Sequence, residues 1–327
     1  MRLLKPKTAI AACALVLSFV AQVVAETWDM PTAYSGLNYQ TQTAQAFAKC
    51  VTTGTGDAIT IAVHPGGSLF KGTDIKRAVQ TGQVQIGERL LSAHQNENPL
   101  FGMDSVPFLA TNFEDAEKLW QVIKPTYHRI LKEQNLVLLY SVSWPPQGMY
   151  FKEEVTRVDQ LKGKRFRATN NTTIRMAQLT GMSPVMIEMV EIGPAFATGV
   201  VETMISSGAS GYDTHIWDSL THFYELNFSL PRNYVIINQQ VWDATPTHHQ
   251  NVIKGCAGLA EYAGNWRTRE YTTLTLNGPR AGGMSVTPPD PGFEQELREV
   301  GQILIDEWLE ETGDEGVDLI NQFQNLP

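Results

Sequence analysis

The segment from Leu161 to Glu202 constrains the fold of this chain more than any other. It opens Leu161-Lys162-Gly163-Lys164-Arg165-Phe166-Arg167-Ala168-Thr169-Asn170, a turn carrying Lys and Gly that feeds a compact strand. That strand delivers Arg167 to its C-terminal end. Asn170, Asn171, Thr172 and Thr173 follow, polar residues able to cap the next helix. A strand end facing a helix start is where open α/β sheets hold small anions. An arginine there presents a planar fork matched to a carboxylate. Taken alone, Arg167 reads first as a solvated surface charge, as most arginines are, so the rest of the chain has to decide.

On both sides of that segment, strand patterns alternate with helix patterns. Trp28 to Pro31 reads as a first strand, Gln40 to Thr52 as a helix, and Ala58 to Val63 as an alternating strand ending at Pro65-Gly66-Gly67. Asp74 to Thr81 reads as a helix, Val84 to Glu88 as a short buried strand, Phe113 to Glu133 as a helix and Leu136 to Ser141 as an apolar strand. Such alternation implies a largely parallel sheet with helices on its faces. Trp144-Pro145-Pro146-Gln147-Gly148 breaks the pattern, because adjacent prolines stop both helix and ladder. It reads as a crossover between two lobes. A second α/β run continues to Asn227, and Tyr234 to Asn238 is a strand able to cross back. Pro246 to Arg269 reads as helical, Pro288 to Pro291 as a loop, and Glu294 to Glu311 as an acidic amphipathic helix.

The N-terminus has the layout of an export signal. Arg2, Lys5 and Lys7 precede an apolar run from Ala9 to Val24, and Val23-Val24-Ala25 offers small residues before a cut at Glu26. The run is short for a membrane span, and Cys13 has almost no apolar segment ahead of it to serve as a lipidation signal. Of the 327 residues, roughly 300 remain after that cut, enough for two α/β lobes. A net charge of -9 argues against nucleic acid as a partner. It leaves an anionic ligand open, since a local arginine outweighs a distant, screened charge. Cys50 and Cys256 remain after cleavage, and either a disulfide or two buried thiols fits them. No Cys-x-x-Cys spacing or carboxylate cluster suggests a metal, and no cofactor is implied.

Catalytic signatures are equally lacking. Gly208-Ala209-Ser210-Gly211 has the wrong spacing for a nucleophile elbow. His248-His249 cannot share a helix face, and Gly54-Thr55-Gly56 is too short for a phosphate loop. What remains suits the holding of one small organic anion. Arg167 would neutralise a carboxylate. Trp144 and Trp217 would wall the ligand with flat apolar area and an indole N–H. Gln147, Asn170, Ser206 and Ser207 would supply hydrogen bonds, and Glu88 could accept one from a ligand N–H or O–H. Against each stands a plainer assignment: core packing for the tryptophans, solvated loop for Gln147 and the serines, surface or ion-paired carboxylate for Glu88.

Four pieces in order resemble the extracytoplasmic solute-binding subunits of TRAP transporters, of the DctP type. They are Gly66-Gly67-Ser68-Leu69, Asp104-Ser105-Val106-Pro107-Phe108-Leu109, Leu161-Lys162-Gly163 through Arg167, and Glu191 through Gly199-Val200-Val201-Glu202. The resemblance spans nearly all of the chain after the signal. It implies a two-lobed periplasmic binding protein of type II-like form, with mixed, mostly parallel sheets, helices on both faces and hinge crossings between lobes. Residues 1–25 would be the signal, 26–146 with 236–276 lobe I, and 147–235 with 277–327 lobe II. It puts Arg167 on a salt bridge to the ligand carboxylate and Met189 on the apolar wall. The place of a second ligand arginine falls near Gln147, a departure that argues for a monocarboxylate. Trp144 to Gly148, Ser206-Ser207-Gly208 and Trp217 look most like the branch that includes pyroglutamate binders. The implied partners are a small DctQ-type and a large DctM-type membrane subunit, driven by an ion gradient, with the binding protein a periplasmic monomer. A binding protein for an ATP-driven importer, a sensor and a periplasmic enzyme are the alternatives.

Overall fold

A computed structural model describes residues 25–326, so nearly all of the expected export signal, Cys13 included, lies outside the described residues. The chain enters through β1 (Glu26–Pro31), α1 (Tyr39–Gly54), β2 (Ile59–His64), α2 (Gly72–Gln80), β3 (Ile86–Leu90), α3 (Phe113–Glu133) and β4 (Leu136–Ser143). It crosses into a second set: β5 (Gln147–Phe151), β6 (Arg165–Ala168), α4 (Asn171–Leu179), β7 (Ser183–Met186), α5 (Ile192–Ala197), β8 (Thr203–Ser207), α6 (Gly208–Asp213) and β9 (His222–Tyr224). It returns as β10 (Arg232–Asn238) and α7 (Gln239–Ala244), and finishes with α8 (Thr247–Ala281), β11 (Ser285–Thr287) and α9 (Pro291–Gln324). Asparagines start several helices in the way their sequence positions suggest. Asn38 accepts from the Gln40 N–H at 2.9 Å, Asn112 from Glu114 and Asp115, and Asn170 from Thr173 at 2.9 Å.

Lobe I holds the parallel pair β1–β2 and the sheet β3-β10-β4; lobe II holds the sheet β11-β9-β5-β8-β6-β7. The pairing is mixed rather than mostly parallel, and the crossings explain it. β10 runs antiparallel to both β3 and β4, and β5 runs antiparallel to both β8 and β9. Each strand that follows a crossing enters its sheet from the far lobe, against the local direction. The two crossing segments are bonded to one another: Trp144 N–H donates to the Pro231 carbonyl at 2.7 Å, Gln147 N–H to Ser229 at 3.0 Å and Phe228 N–H to Gln147 at 2.9 Å. The return crossing is therefore Asn227 to Pro231. Tyr234 to Asn238, read from sequence as the crossing, is wholly buried inside the lobe I sheet, so a lobe boundary between Val235 and Ile236 would cut a strand.

The long helices also override the sequence division. Helix α8 runs on to Ala281 through Gly278 and Pro279, because both halves have something to pack on. Its Ile253, Cys256, Ala257 and Ala260 are buried with the α1 residues Phe47 and Val51, while Gly278 and Gly282 give room to Tyr212 and Trp217 of lobe II. Helix α9 starts in the lobe II core with Phe293, Leu297 and Leu304 and ends in the lobe I core with Trp308 and Leu319, bending at Gly313 (φ 59°). The described residues from 277 on thus belong to both lobes. A disulfide joins Cys50 of α1 to Cys256 of α8, with Cα atoms 5.8 Å apart.

Candidate functional site

A concavity opens where the C-terminal end of β6 faces β3 across the lobes. It is a cavity of about 110 Å³ lined by Tyr34, Thr73, Arg89, Leu90, Trp144, Gln147, Arg167, Thr169, Asn170, Met186, Ile187, Glu188, Met189, Ser206, Ser210 and Pro231. On β6 the pleat sends Phe166 into the lobe II core and leaves Arg167 on the cavity side. Arg167 is 5% exposed, and its Nε donates to the Ile187 carbonyl at 2.9 Å. No described residue accepts from its Nη1 or Nη2. Burial and the neighbouring Arg89 guanidinium push its pKa down to about 10, with Glu188 opposing. The site is thus short of one anion.

Two other charges meet it there, neither singled out from the sequence. Arg89, at the end of β3, and Glu188, in the loop after β7, are 99 positions apart. They face each other across the lobes, with Nη1–Oε2 at 3.3 Å and Nη2–Oε1 at 3.1 Å. The Arg89 Nε is buried with no partner. Further bonds tie the lobes beside the cavity. Asn170 Nδ2 donates to Ser92 Oγ at 3.1 Å, Gln95 Nε2 to Thr172 Oγ1 at 3.1 Å, and Asn38 Nδ2 to Asp213 Oδ2 at 2.6 Å. The described form is closed.

Of the residues singled out from sequence, Arg167, Gln147, Trp144, Asn170, Met189 and Ser206 line this cavity and the other three do not. Ser207 faces away, accepting from Ser210 N–H at the start of α6 and from Tyr150 OH through its carbonyl at 2.9 Å. Trp217 stacks on His215 with ring centroids 4.9 Å apart and closes over Gly282, just past the end of α8. Glu88 is buried and does not line the cavity. Trp144 also differs in role from the expectation that it offers its indole N–H. That donor is already bonded to Asn233 Oδ1 at 2.8 Å, beside the Tyr34 hydroxyl at 3.1 Å, leaving the ring as an apolar wall.

Asn233 in turn donates to Glu88 Oε1 at 2.9 Å, while Glu88 Oε2 has no partner. Burial raises the Glu88 carboxyl to about 7, only partly countered by that bond. Strand alternation could have found Arg89, since Glu88 and Arg89 occupy opposite faces of β3. Nothing local marks Glu188. No cluster of three or more His, Cys, Asp or Glu among the described residues could hold a metal, and no described helix is long and apolar enough to cross a membrane.

Residues 32–312 match the family model DctP, bacterial extracellular solute-binding protein, family 7. Among solved structures, a TRAP solute-binding protein specific for pyroglutamate from a marine metagenome, crystallised with co-purified pyroglutamate, is 42% identical. That likeness covers 92% of this chain and 99% of the other, with a TM-score of 0.91. Two extracytoplasmic solute receptors of Bordetella pertussis that bind pyroglutamic acid, DctP6 and DctP7, are 35% and 37% identical. Each likeness covers 92% of this chain and 100% of the receptor, with TM-scores of 0.90.

Proposed function

The chain belongs to the DctP family of bacterial extracellular solute-binding proteins, and from that premise we propose that it captures pyroglutamate for a TRAP transporter. The observation that carries the ligand reading is the buried Arg167 guanidinium, whose two terminal nitrogens lack protein acceptors in a small cavity walled by Trp144, Tyr34 and Met189. One carboxylate completes it as a bidentate pair. Apolar walls then favour a compact ring over a long polar chain, and Gln147, Ser206 and Asn170 are the polar groups placed to orient it. The pyroglutamate-binding relatives at 35–42% identity support the same ligand.

The ligand acts by differential contact. Arg167 comes from lobe II and Tyr34 from lobe I, so the ligand touches both only when the lobes are closed and stabilises that state. The bonded crossings at Trp144–Gln147 and Phe228–Pro231 serve as the hinge. A periplasmic monomer would present the closed form to a small and a large membrane subunit and return the acid chemically unchanged, a carrier rather than an enzyme. Thermal-shift and calorimetric titration of protein stripped of bound ligand test this. L-Pyroglutamate at a hundred times Kd should add about 2.7 kcal/mol of stability. Absence of any shift with pyroglutamate or other cyclic monocarboxylates, alongside conversion of an added acid into product, would overturn it in favour of an enzyme.

A further inference from the structure

Resting on the reading above, the charges around the cavity also address which carboxylates are refused. Formally they are two cations and one anion: Arg89, Arg167 and Glu188. Arg89 would be a second carboxylate receptor, set in the opposite lobe from Arg167 and facing the same space. Its terminal nitrogens are already taken, because Glu188 spans both with paired contacts. The pair is sheltered, with the Arg89 side chain 4% exposed and that of Glu188 24%. It is also fitted to its surroundings. A Cβ at Gly72, at the start of α2, would lie 2.5 Å from Glu188 Oε2 and 2.7 Å from Arg89 Nη1. The backbone has been left bare where the pair sits.

We propose that Glu188 is a specificity-determining residue: an internal carboxylate that occupies Arg89 and so excludes ligands with a second carboxylate. A dicarboxylate anchored on Arg167 would have to displace Glu188 from Arg89 or lie against it as a like charge, and either is disfavoured. A monocarboxylate meets one free guanidinium and no conflict. Specificity here comes from what the protein has already filled.

Calorimetric titration with L-pyroglutamate and with glutarate, an unbranched dicarboxylate, tests the assignment in the wild type, Glu188→Gln, Glu188→Ala and Glu188→Ala with Arg89→Met. Glu188→Ala should bind glutarate at least about tenfold more tightly than the wild type does. Glu188→Gln, which keeps the shape and removes the charge, should gain less. The double variant should lose the gain. Single variants that keep pyroglutamate binding but gain nothing for glutarate overturn the proposal, as does a gain that survives Arg89→Met. Loss of all binding in both single variants at wild-type melting temperature would make Glu188 a direct holder of the monocarboxylate, and equally overturns it. A wild type that ignores pyroglutamate while Glu188→Ala takes up glutarate would sink the ligand reading and uphold the role of Glu188.

Discussion

Two buried arginines invite comparison, Arg167 on β6 and Arg232 on β10, at 5% and 2% exposure. Arg232 is engaged within the protein through Nε and Nη2, with Nη1 3.9 Å from Glu117 Oε2. Its Nε donates to Ser141 Oγ at 2.9 Å and its Nη2 to Asn265 Oδ1 at 3.1 Å, while the guanidinium lies 5.0 Å over the Trp120 ring. Arg167 spends one donor on Ile187 and leaves a fork open to the cavity. Burial does not separate a structural arginine from a binding one; unspent donors do. A desolvated, unanswered cation costs stability in the free protein, and that cost becomes binding energy when an anion arrives.

The comparison breaks if the two arginines respond alike. The largest effect belongs to Arg232→Ala, which strands Ser141 and Asn265 and opens a void against Trp120. It should lower unfolding stability by roughly 4 kcal/mol, read from the denaturant midpoint. Arg167→Ala should do the opposite: unliganded melting unchanged or slightly raised, with pyroglutamate affinity reduced about a hundredfold, some 2.7 kcal/mol. Retention of affinity within about threefold would remove Arg167 from the site. Arg167→Lys sharpens the point about geometry. An ammonium keeps the charge but not two parallel donors, so calorimetry should place it within about tenfold of the alanine variant.

Glu88 supplies the smallest and most diagnostic effect, because it is the anionic counterpart of Arg167: buried, with one oxygen unmatched. Its folded carboxyl protonates at about 7 against an ordinary 4.5. The folded form therefore holds the extra proton between those values, and stability is greatest at the acid side and declines as pH rises through the folded pKa. Asp104, raised by burial to about 6, adds a decline of the same sign. Glu88→Gln should flatten the wild-type loss between about pH 5 and pH 8 by on the order of 2 kcal/mol in denaturation curves. A slope unchanged by the substitution would show that Glu88 is not the group responsible.

What could be read in the sequence was what is local. The strand bearing Arg167, its Asn170 cap, the limits of α3 and the proline crossing all follow from a few consecutive residues, and each is found. What escaped was set by distant partners. The Arg89–Glu188 pair depends on the closed arrangement of two lobes, and Trp144 loses its free N–H to Asn233, 89 positions away. Trp217 reads from sequence as a flat apolar wall for the ligand, but the chain runs helical past the expected end of α8 and Gly282 packs on its ring. Helix length itself is tertiary here: glycines and a proline that would end an isolated helix persist because both lobes bury their own stretch of it.

The bond between Cys50 and Cys256 makes the molecule, over most of its length, a circle. The closed ring of backbone takes in every lobe II strand except β11, so that lobe is a loop on a covalent hoop rather than a bead between two free ends. One cut anywhere in residues 51–255 opens the hoop without releasing a fragment. The nicked protein would run whole on a gel until reductant separates the pieces, and two cuts inside the ring are needed to release the segment that carries β5 to β9.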